Sequence, residues 1–283
     1  MAKRVGMIGC GIMGGGMARR LLHAGFPVVV FNRTVDKVKP LVEAGAMAAG
    51  SPAEVAAQTD TVIVMLRDDA AVRAAVLGPK GVLAGAKPGA TIINTSTVTP
   101  SLAQELGPIV ERHGCGFLDV PVTGSRVAAA EGKLGMLASG RDEVIEAERD
   151  VLSAMGTITK FGALGSSSTF KLANNQLAAV VIRAIGEGIA MCEAGGLDRA
   201  MVVEALTATV TRVGGLNKEK LIRRDWSVDF ALNLMLKDLD QAVETAAKLG
   251  VRVPLAEAAR EIYRKAEQSG MGAKHFAAVV ENN

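Results

Sequence analysis

Arg4-Val5-Gly6-Met7-Ile8-Gly9-Cys10-Gly11-Ile12-Met13-Gly14-Gly15-Gly16-Met17-Ala18-Arg19-Arg20-Leu21-Leu22 is the stretch that decides the fold. Arg4–Ile8 is short and apolar and reads as a buried strand. Gly15–Leu22 reads as a helix, which Gly25 breaks, and Val28-Val29-Val30-Phe31 reads as a second strand. Gly9 permits a tight turn between strand and helix. Gly11 lets the backbone come close to a pyrophosphate, and Gly14 lets the helix pack near the strand. A strand, a glycine turn, a helix and a second strand form the context in which G-x-G-x-x-G binds a dinucleotide. The phosphates of such a ligand sit on the free N–H groups of the helix N-terminus, where the dipole favours negative charge.

The end of the second strand discriminates between dinucleotides. An acidic residue there accepts bonds from a free ribose hydroxyl. Here the segment is Asn32-Arg33-Thr34. Asn32 does not repel a 2′-phosphate, Arg33 offers a planar charged fork that suits one, and Thr34 adds a hydroxyl. These residues favour NADPH over NADH. Ile12 and Met13 of the turn, and Met65 and Leu66 at the end of a later strand, are placed with the same cofactor.

The remaining sequence bounds the class. At 283 residues the chain suits two domains, and 49% hydrophobic residues provide for a large core. The net charge of +3 carries no basic block, which suits small acidic ligands and argues against nucleic acid. Cys10, Cys115 and Cys192 are widely spaced and odd in number, so no disulfide framework is expected and a reducing compartment is. His23, His113 and His275 are too scattered for a metal site. The first apolar stretch is already a strand, so no leader peptide is expected, and a cytoplasmic location is. No apolar run is long enough to span a membrane.

Along the chain, Val35–Ala44 reads as a helix ended by Gly45. Ser51-Pro52-Ala53-Glu54 opens another with a Ser cap, Pro at the first position and an acid in the first turn. Thr61–Leu66, Thr91–Asn94, Gly116–Val120, Leu134–Ser139 and Ile158–Phe161 read as strands. Helices between them begin near Asp68 and Thr99. Apolar strands alternating with helices predict an α/β, Rossmann-type, mostly parallel sheet with helices on both faces. After Gly162-Ala163-Leu164-Gly165 nothing reads as a strand. Ser166–Glu193 has a long helical pattern, followed by helices near 198–210, 214–223, 232–249 and 254–268. The expectation is a nucleotide domain over 1–164 and an all-helical domain over 165–283, with a ligand cleft between them.

Four segments offer chemistry. The hydroxyls of Thr95-Ser96-Thr97 follow a strand and suit a nicotinamide or ribose; they equally suit a helix start. Thr123-Gly124-Ser125, within Pro121–Arg126, presents hydroxyls and backbone N–H groups to a carboxylate, or forms an ordinary turn. Lys171 and Asn175 are four apart and share a helix face. With Phe170, Leu172 and Leu177 beside it, a lysine here is either a solvated residue or a partly desolvated proton donor with a lowered pKa. Lys237 has two readings, a cofactor contact or a pair with a surface acid.

Taken together, Gly9–Gly14, Asn32-Arg33-Thr34, Ser96-Thr97-Val98, Asp119–Ser125, Gly162…Gly165…Lys171…Asn174-Asn175 and Lys237-Asp238-Leu239 resemble the β-hydroxyacid dehydrogenase family across nearly the whole chain. The resemblance implies that Lys171 is the catalytic acid/base and that Asn175 orients the substrate. It also implies that Thr123, Gly124 and Ser125 hold a substrate carboxylate and that Thr97 and Lys237 contact the cofactor. Asn32-Arg33-Thr34 looks like the NADP(H)-using glyoxylate and succinic semialdehyde reductase branch. Its substrates are small carboxylate-bearing aldehydes, reduced to hydroxy acids, and its members are homo-oligomers, dimer or tetramer. Thr123 departs from the branch, which commonly has Ser, and its extra methyl bears on carbon-chain preference. Imine reductases share the fold but usually lack the lysine. The alternatives are a 3-hydroxyacid dehydrogenase working oxidatively and a non-catalytic NADPH-binding module.

Overall fold

A computed structural model describes residues 3–282. The chain divides into two compact units, one ending at Asn175 and the other beginning at Gln176. The first unit is built on strands β1 (Val5–Ile8), β2 (Val28–Phe31), β3 (Met47–Ala48), β4 (Thr61–Val64), β5 (Thr91–Asn94), β6 (Gly116–Asp119), β7 (Val122–Thr123), β8 (Leu134–Gly140) and β9 (Gly156–Gly162). Its helices are α1 (Ile12–His23), α2 (Lys39–Val42), α3 (Pro52–Ala57), α4 (Asp69–Leu77), α5 (Pro100–Arg112), α6 (Arg126–Glu131), α7 (Asp142–Ala147) and α8 (Arg149–Met155). The strand order is β3-β2-β1-β4-β5-β6-β8-β7, with β9 beside β8. From β3 to β6 every pairing is parallel, whereas β8 runs antiparallel to β6 and β7.

Alternate strand residues serve opposite faces, as the pleat requires. Val5, Met7, Ile63, Ile93 and Leu118 pack with Met17 and Leu21 of α1 on one face. Ile8, Val62, Val64, Ile92 and Phe117 pack with Val55, Val72, Val76, Leu102 and Leu106 on the other. Burial of both faces is why these strands are continuous apolar runs. The Ser51 hydroxyl accepts from the Glu54 N–H, and the Glu54 carboxylate accepts from the Gly50 N–H, so α3 opens on a reciprocal cap.

Several expectations need correction. Val35–Ala44 is not one helix. A turn of 3₁₀ helix at Val35–Lys37 precedes the short α2, because Pro40 offers no N–H and Gly45, at φ +102°, ends the element. The strand over 61–66 stops at Val64, which leaves Met65 and Leu66 beyond the sheet edge. The two-residue strands β3 and β7 and helices α6 to α8 are too short for a pattern to show.

The second unit is helical. Helix α9 (Ser166–Ala194) runs through the division, followed by α10 (Arg199–Arg223), α11 (Leu232–Lys248), α12 (Pro254–Ala266) and a 3₁₀ turn at Phe276–Glu281. The compact units divide after Asn175, and the first turn of α9 is hydrogen-bonded to β6 and β8. The helices read at 198–210 and 214–223 are one, since Gly214 and Gly215 take helical geometry and α10 continues through them.

Candidate active site

The parallel register lines up Ile8, Phe31, Val64, Asn94 and Asp119 along the carboxyl edge of the sheet. Strand order reverses between β1 and β4, which is where such sheets take their ligands. Gly9 sits at that point with φ +96°, and a Cβ there would lie 2.1 Å from the Met65 carbonyl oxygen. A Cβ on Gly14 would lie 1.9 Å from the Gly9 oxygen. Gly11 differs, because a Cβ there would enter open space. It precedes α1, whose N-terminus has no side-chain cap and no acid in its first turn. Open space before uncapped N–H groups is a cradle for a phosphate.

Beside this cradle is a cavity of about 500 Å³ lined by Gly9, Gly11, Phe31, Asn32, Arg33, Thr34, Met65 and Leu66. Lys37 and Arg67 also line it, and no acidic side chain does. Among the described residues Arg33, Lys37 and Arg67 have no acidic partner. Three unpaired cations on one cavity fit a phosphorylated ribose. Sequence reading missed Lys37 and Arg67, although Lys37 follows Arg33 by four residues and Arg67 follows Leu66 directly. Asn32 lines this cavity and also holds the turn. Its Oδ1 accepts from the Cys10 N–H at 3.0 Å and its Nδ2 donates to the Thr34 carbonyl at 2.8 Å, so it ties the glycine turn to the β2 loop. Cys10 itself is buried, and burial pushes its thiol up to about 11, so it packs rather than reacts. Ile12 is exposed and Met13 packs against the core.

Beyond β5 the three hydroxyls separate in role. Thr95 and Ser96 donate to the Val64 carbonyl, and Ser96 also accepts from the Leu66 N–H at 2.9 Å. They fasten β5 to the end of β4. Only Thr97, half-buried, keeps its hydroxyl free among the described residues. Beyond β6, Thr123 closes β7, Gly124 has φ +128°, and the Ser125 hydroxyl accepts from the Ala128 N–H at 3.3 Å as the cap of α6. The segment is thus a helix-opening turn that still presents the Ser125 hydroxyl and exposed Gly124 backbone.

Lys171 and Asn175 lie on successive turns of α9 within the first unit. Lys171 is half-buried and has no acidic partner among the described residues. Burial holds its ammonium below the usual lysine value. The apolar neighbours do not enclose it as expected: Phe170, Leu172 and Leu177 are themselves exposed, and so is Asn175. Lys237, in the second unit, is exposed on α11 and pairs with Asp238 at 2.9 Å. Among the described residues no cluster of potential ligands could hold a metal, and no helix is long and apolar enough to cross a membrane.

Residues 4–165 match the family model described as the NAD binding domain of 6-phosphogluconate dehydrogenase. Residues 165–282 match the NAD-binding domain of NADP-dependent 3-hydroxyisobutyrate dehydrogenase. A probable 3-hydroxyisobutyrate dehydrogenase-like protein of Arabidopsis thaliana, mitochondrial, is 36% identical over 86% of this chain and 77% of its own. The 3-sulfolactaldehyde reductase of Escherichia coli (strain K12) is 32% identical over 98% of this chain and 94% of its own. The imine reductase from Myxococcus stipitatus in complex with NADP⁺ has the same fold, with a TM-score of 0.90 over 98% of this chain and 99% of its own at 21% identity.

Proposed function

The chain belongs to the β-hydroxyacid dehydrogenase family, and we propose that within it this protein reduces short carboxylate-bearing aldehydes, such as glyoxylate and succinic semialdehyde, with NADPH. The family membership makes it an NAD(P)-dependent oxidoreductase. The observation that carries the finer reading is one sheet unit that holds both an acid-free cavity with three unpaired cations and a half-buried, unpaired Lys171. The residues fit the cofactor, since open space at Gly11 and the free N–H groups of α1 suit its pyrophosphate and Arg33, Lys37 and Arg67 suit its 2′-phosphate. When bound, NADPH supplies the hydride. Thr123, Gly124 and Ser125 hold the substrate carboxylate through hydroxyls and backbone N–H. Lys171 enters as an ammonium and places its Nζ proton on the oxygen that becomes the alcohol. Asn175, one turn further on, orients the carbonyl, and Thr97 offers its free hydroxyl to the cofactor. The balance is aldehyde, NADPH and a proton in, hydroxy acid and NADP⁺ out.

The chain works as a homo-oligomer, dimer or tetramer. Support comes from exposed apolar side chains such as Ile182 on α9 and Leu216 and Ile222 on α10. Three free cysteines support a reducing, cytoplasmic setting. The test is loss of NADPH absorbance with a panel of short aldehydes that carry an acid group, run beside NADH and a cyclic imine. Turnover of an acid-bearing aldehyde with NADPH preferred supports the reading. Turnover only of 3-hydroxy acids with NADP⁺ replaces it with the oxidative dehydrogenase, and turnover of the imine alone overturns it.

A further inference from the structure

Asp119 ends β6 and is fully buried. Its Oδ1 accepts from Asn94 Nδ2 at 3.2 Å, and its Oδ2 accepts from Ser167 Oγ at 3.0 Å and Ser168 Oγ at 2.8 Å. The Ser168 backbone N–H adds a fourth donor. Ser139 of β8 closes the group, 2.6 Å from the Ser167 hydroxyl and bonded to the Asp119 carbonyl. Asn94, Ser139, Ser167 and Ser168 are buried as well. Four donors aimed at two oxygens suit the ionised carboxylate, which is acceptor-only. Burial is the largest influence and holds the carboxyl above the usual aspartate value, with the bonds from Ser168, Ser167 and Asn94 opposing it in part. A buried carboxylate with this many partners is costly to disturb.

The placement of this group suggests a use beyond packing. Ser167 and Ser168 precede Lys171 by four and three residues, so all three share one face of α9. Asn94 leads into Thr97, and its Oδ1 accepts from the Ser96 N–H at 3.2 Å. Asp119 itself leads, four residues on, into Thr123. We propose that Asp119 is a positioning residue: its carboxylate locks the first turn of α9 to the ends of β5 and β6 and thereby sets where Lys171 delivers its proton. The inference rests on the reading of Lys171 as the proton donor. Asp119 touches neither substrate nor cofactor in this scheme. It acts through the helix, and a misplacement of about 1 Å at a reacting group is enough to cost on the order of 10²-fold in rate.

An amide at position 119 cannot satisfy the same donors. It offers one acceptor oxygen, and its NH₂ meets either Asn94 Nδ2 or the Ser168 hydroxyl and N–H. Asn94 cannot flip to compensate without abandoning the Ser96 N–H. The experiment compares Asp119→Asn, Ser168→Ala and Lys171→Ala with the wild type. Turnover of glyoxylate and succinic semialdehyde is normalised to NADPH sites titrated by fluorescence. Isotope effects are measured with NADPH deuterated at the transferred position and in D₂O, and amide exchange is followed in the chain without cofactor. Asp119→Asn is expected to lower kcat per site about tenfold or more with little change in NADPH affinity. Both isotope effects should rise, and faster exchange should be confined to the first turns of α9. Ser168→Ala, which removes one donor, should do the same to a smaller degree and covers the case in which Asp119→Asn does not fold. Unchanged isotope effects, kcat per site within twofold of wild type, or exchange that rises equally in β4 and β5 overturns the proposal. If Lys171→Ala keeps its turnover, the proton-donor reading falls and takes this inference with it. If Lys171→Ala collapses while Asp119→Asn and Ser168→Ala do not, only the inference falls.

Discussion

The two units solve the problem of apolar surface in opposite ways. In the sheet unit Val5, Met7, Ile63, Ile92, Ile93 and Leu118 are sealed between two layers of helices. In the helical unit Ile182 is 70% exposed, Leu216 74% and Ile222 66%, while few side chains of α10 to α12 are fully buried. A unit with a closed core carries its own stability. A unit whose apolar residues face outward leaves much of its hydrophobic stabilisation to be gained by covering them, as the proposed oligomer would. The largest effect expected from this contrast lies in the sheet. Ile63→Ala should cost about 4 kcal/mol in urea unfolding, the usual scale for emptying a buried aliphatic site. Ile182→Ala, measured at concentrations where light scattering shows single chains, should cost no more than about 0.5 kcal/mol. Equal losses at the two positions would break the contrast.

The proposed chemistry belongs to the sheet unit as well, together with the stretch of α9 that is bonded to it. Lys171→Ala should lower turnover about 10²-fold or more, the scale of a lost general acid, while NADPH affinity is retained. The pH dependence carries its own sign. Reduction needs the ammonium, so kcat should be flat at low pH and fall as pH rises through the Lys171 pKa. Because burial lowers that pKa, the fall should come at lower pH than for a free lysine. A profile unaltered in Lys171→Ala would assign the proton to another group.

Reading the sequence succeeded where local chemistry alone sets the structure. The glycine turn is legible because Gly9 and Gly14 leave no room for any other residue, and the Ser51–Glu54 cap is a local exchange of bonds. The long α9 was legible because apolar residues persist along it. What stayed hidden depends on partners far along the chain. Nothing local shows that Asp119 binds Ser167 and Ser168, about fifty residues on. Nor does any local pattern bring Arg67, at the end of β4, to the cavity that Arg33 lines after β2. Nor does any local pattern show that Asn32, which lines the same cavity, also bonds to Cys10 and Thr34 through its side chain.

The cation set sharpens the cofactor side of the same unit. Arg33→Ala should raise the NADPH dissociation constant about tenfold, in keeping with the loss of one charge-assisted bond, and leave NADH nearly unchanged. Arg67→Ala should follow the same pattern if its guanidinium shares the 2′-phosphate. Parallel losses for NADPH and NADH would place both arginines on the part of the dinucleotide that the two cofactors have in common. Titration of intrinsic or NADPH fluorescence separates the cases.

The smallest effect concerns Gly214 and Gly215. The sequence reads a break over 211–213, just before them, and the structure carries α10 through that stretch and through both glycines without a positive φ. A Cβ at either glycine would meet nothing within 4 Å. Alanine fits a helix interior better than glycine by about 1 kcal/mol, because it loses less backbone freedom on folding. Gly215→Ala should therefore raise the unfolding free energy by about that amount in the single chain and increase helix content by circular dichroism. If a second copy packs its backbone against this face, the new methyl holds the copies apart. The same substitution then weakens the oligomer in light scattering even as it strengthens the helix. A gain in both would place the interface elsewhere on the helical unit, and a loss of helix content would show that the chain needs glycine at this position.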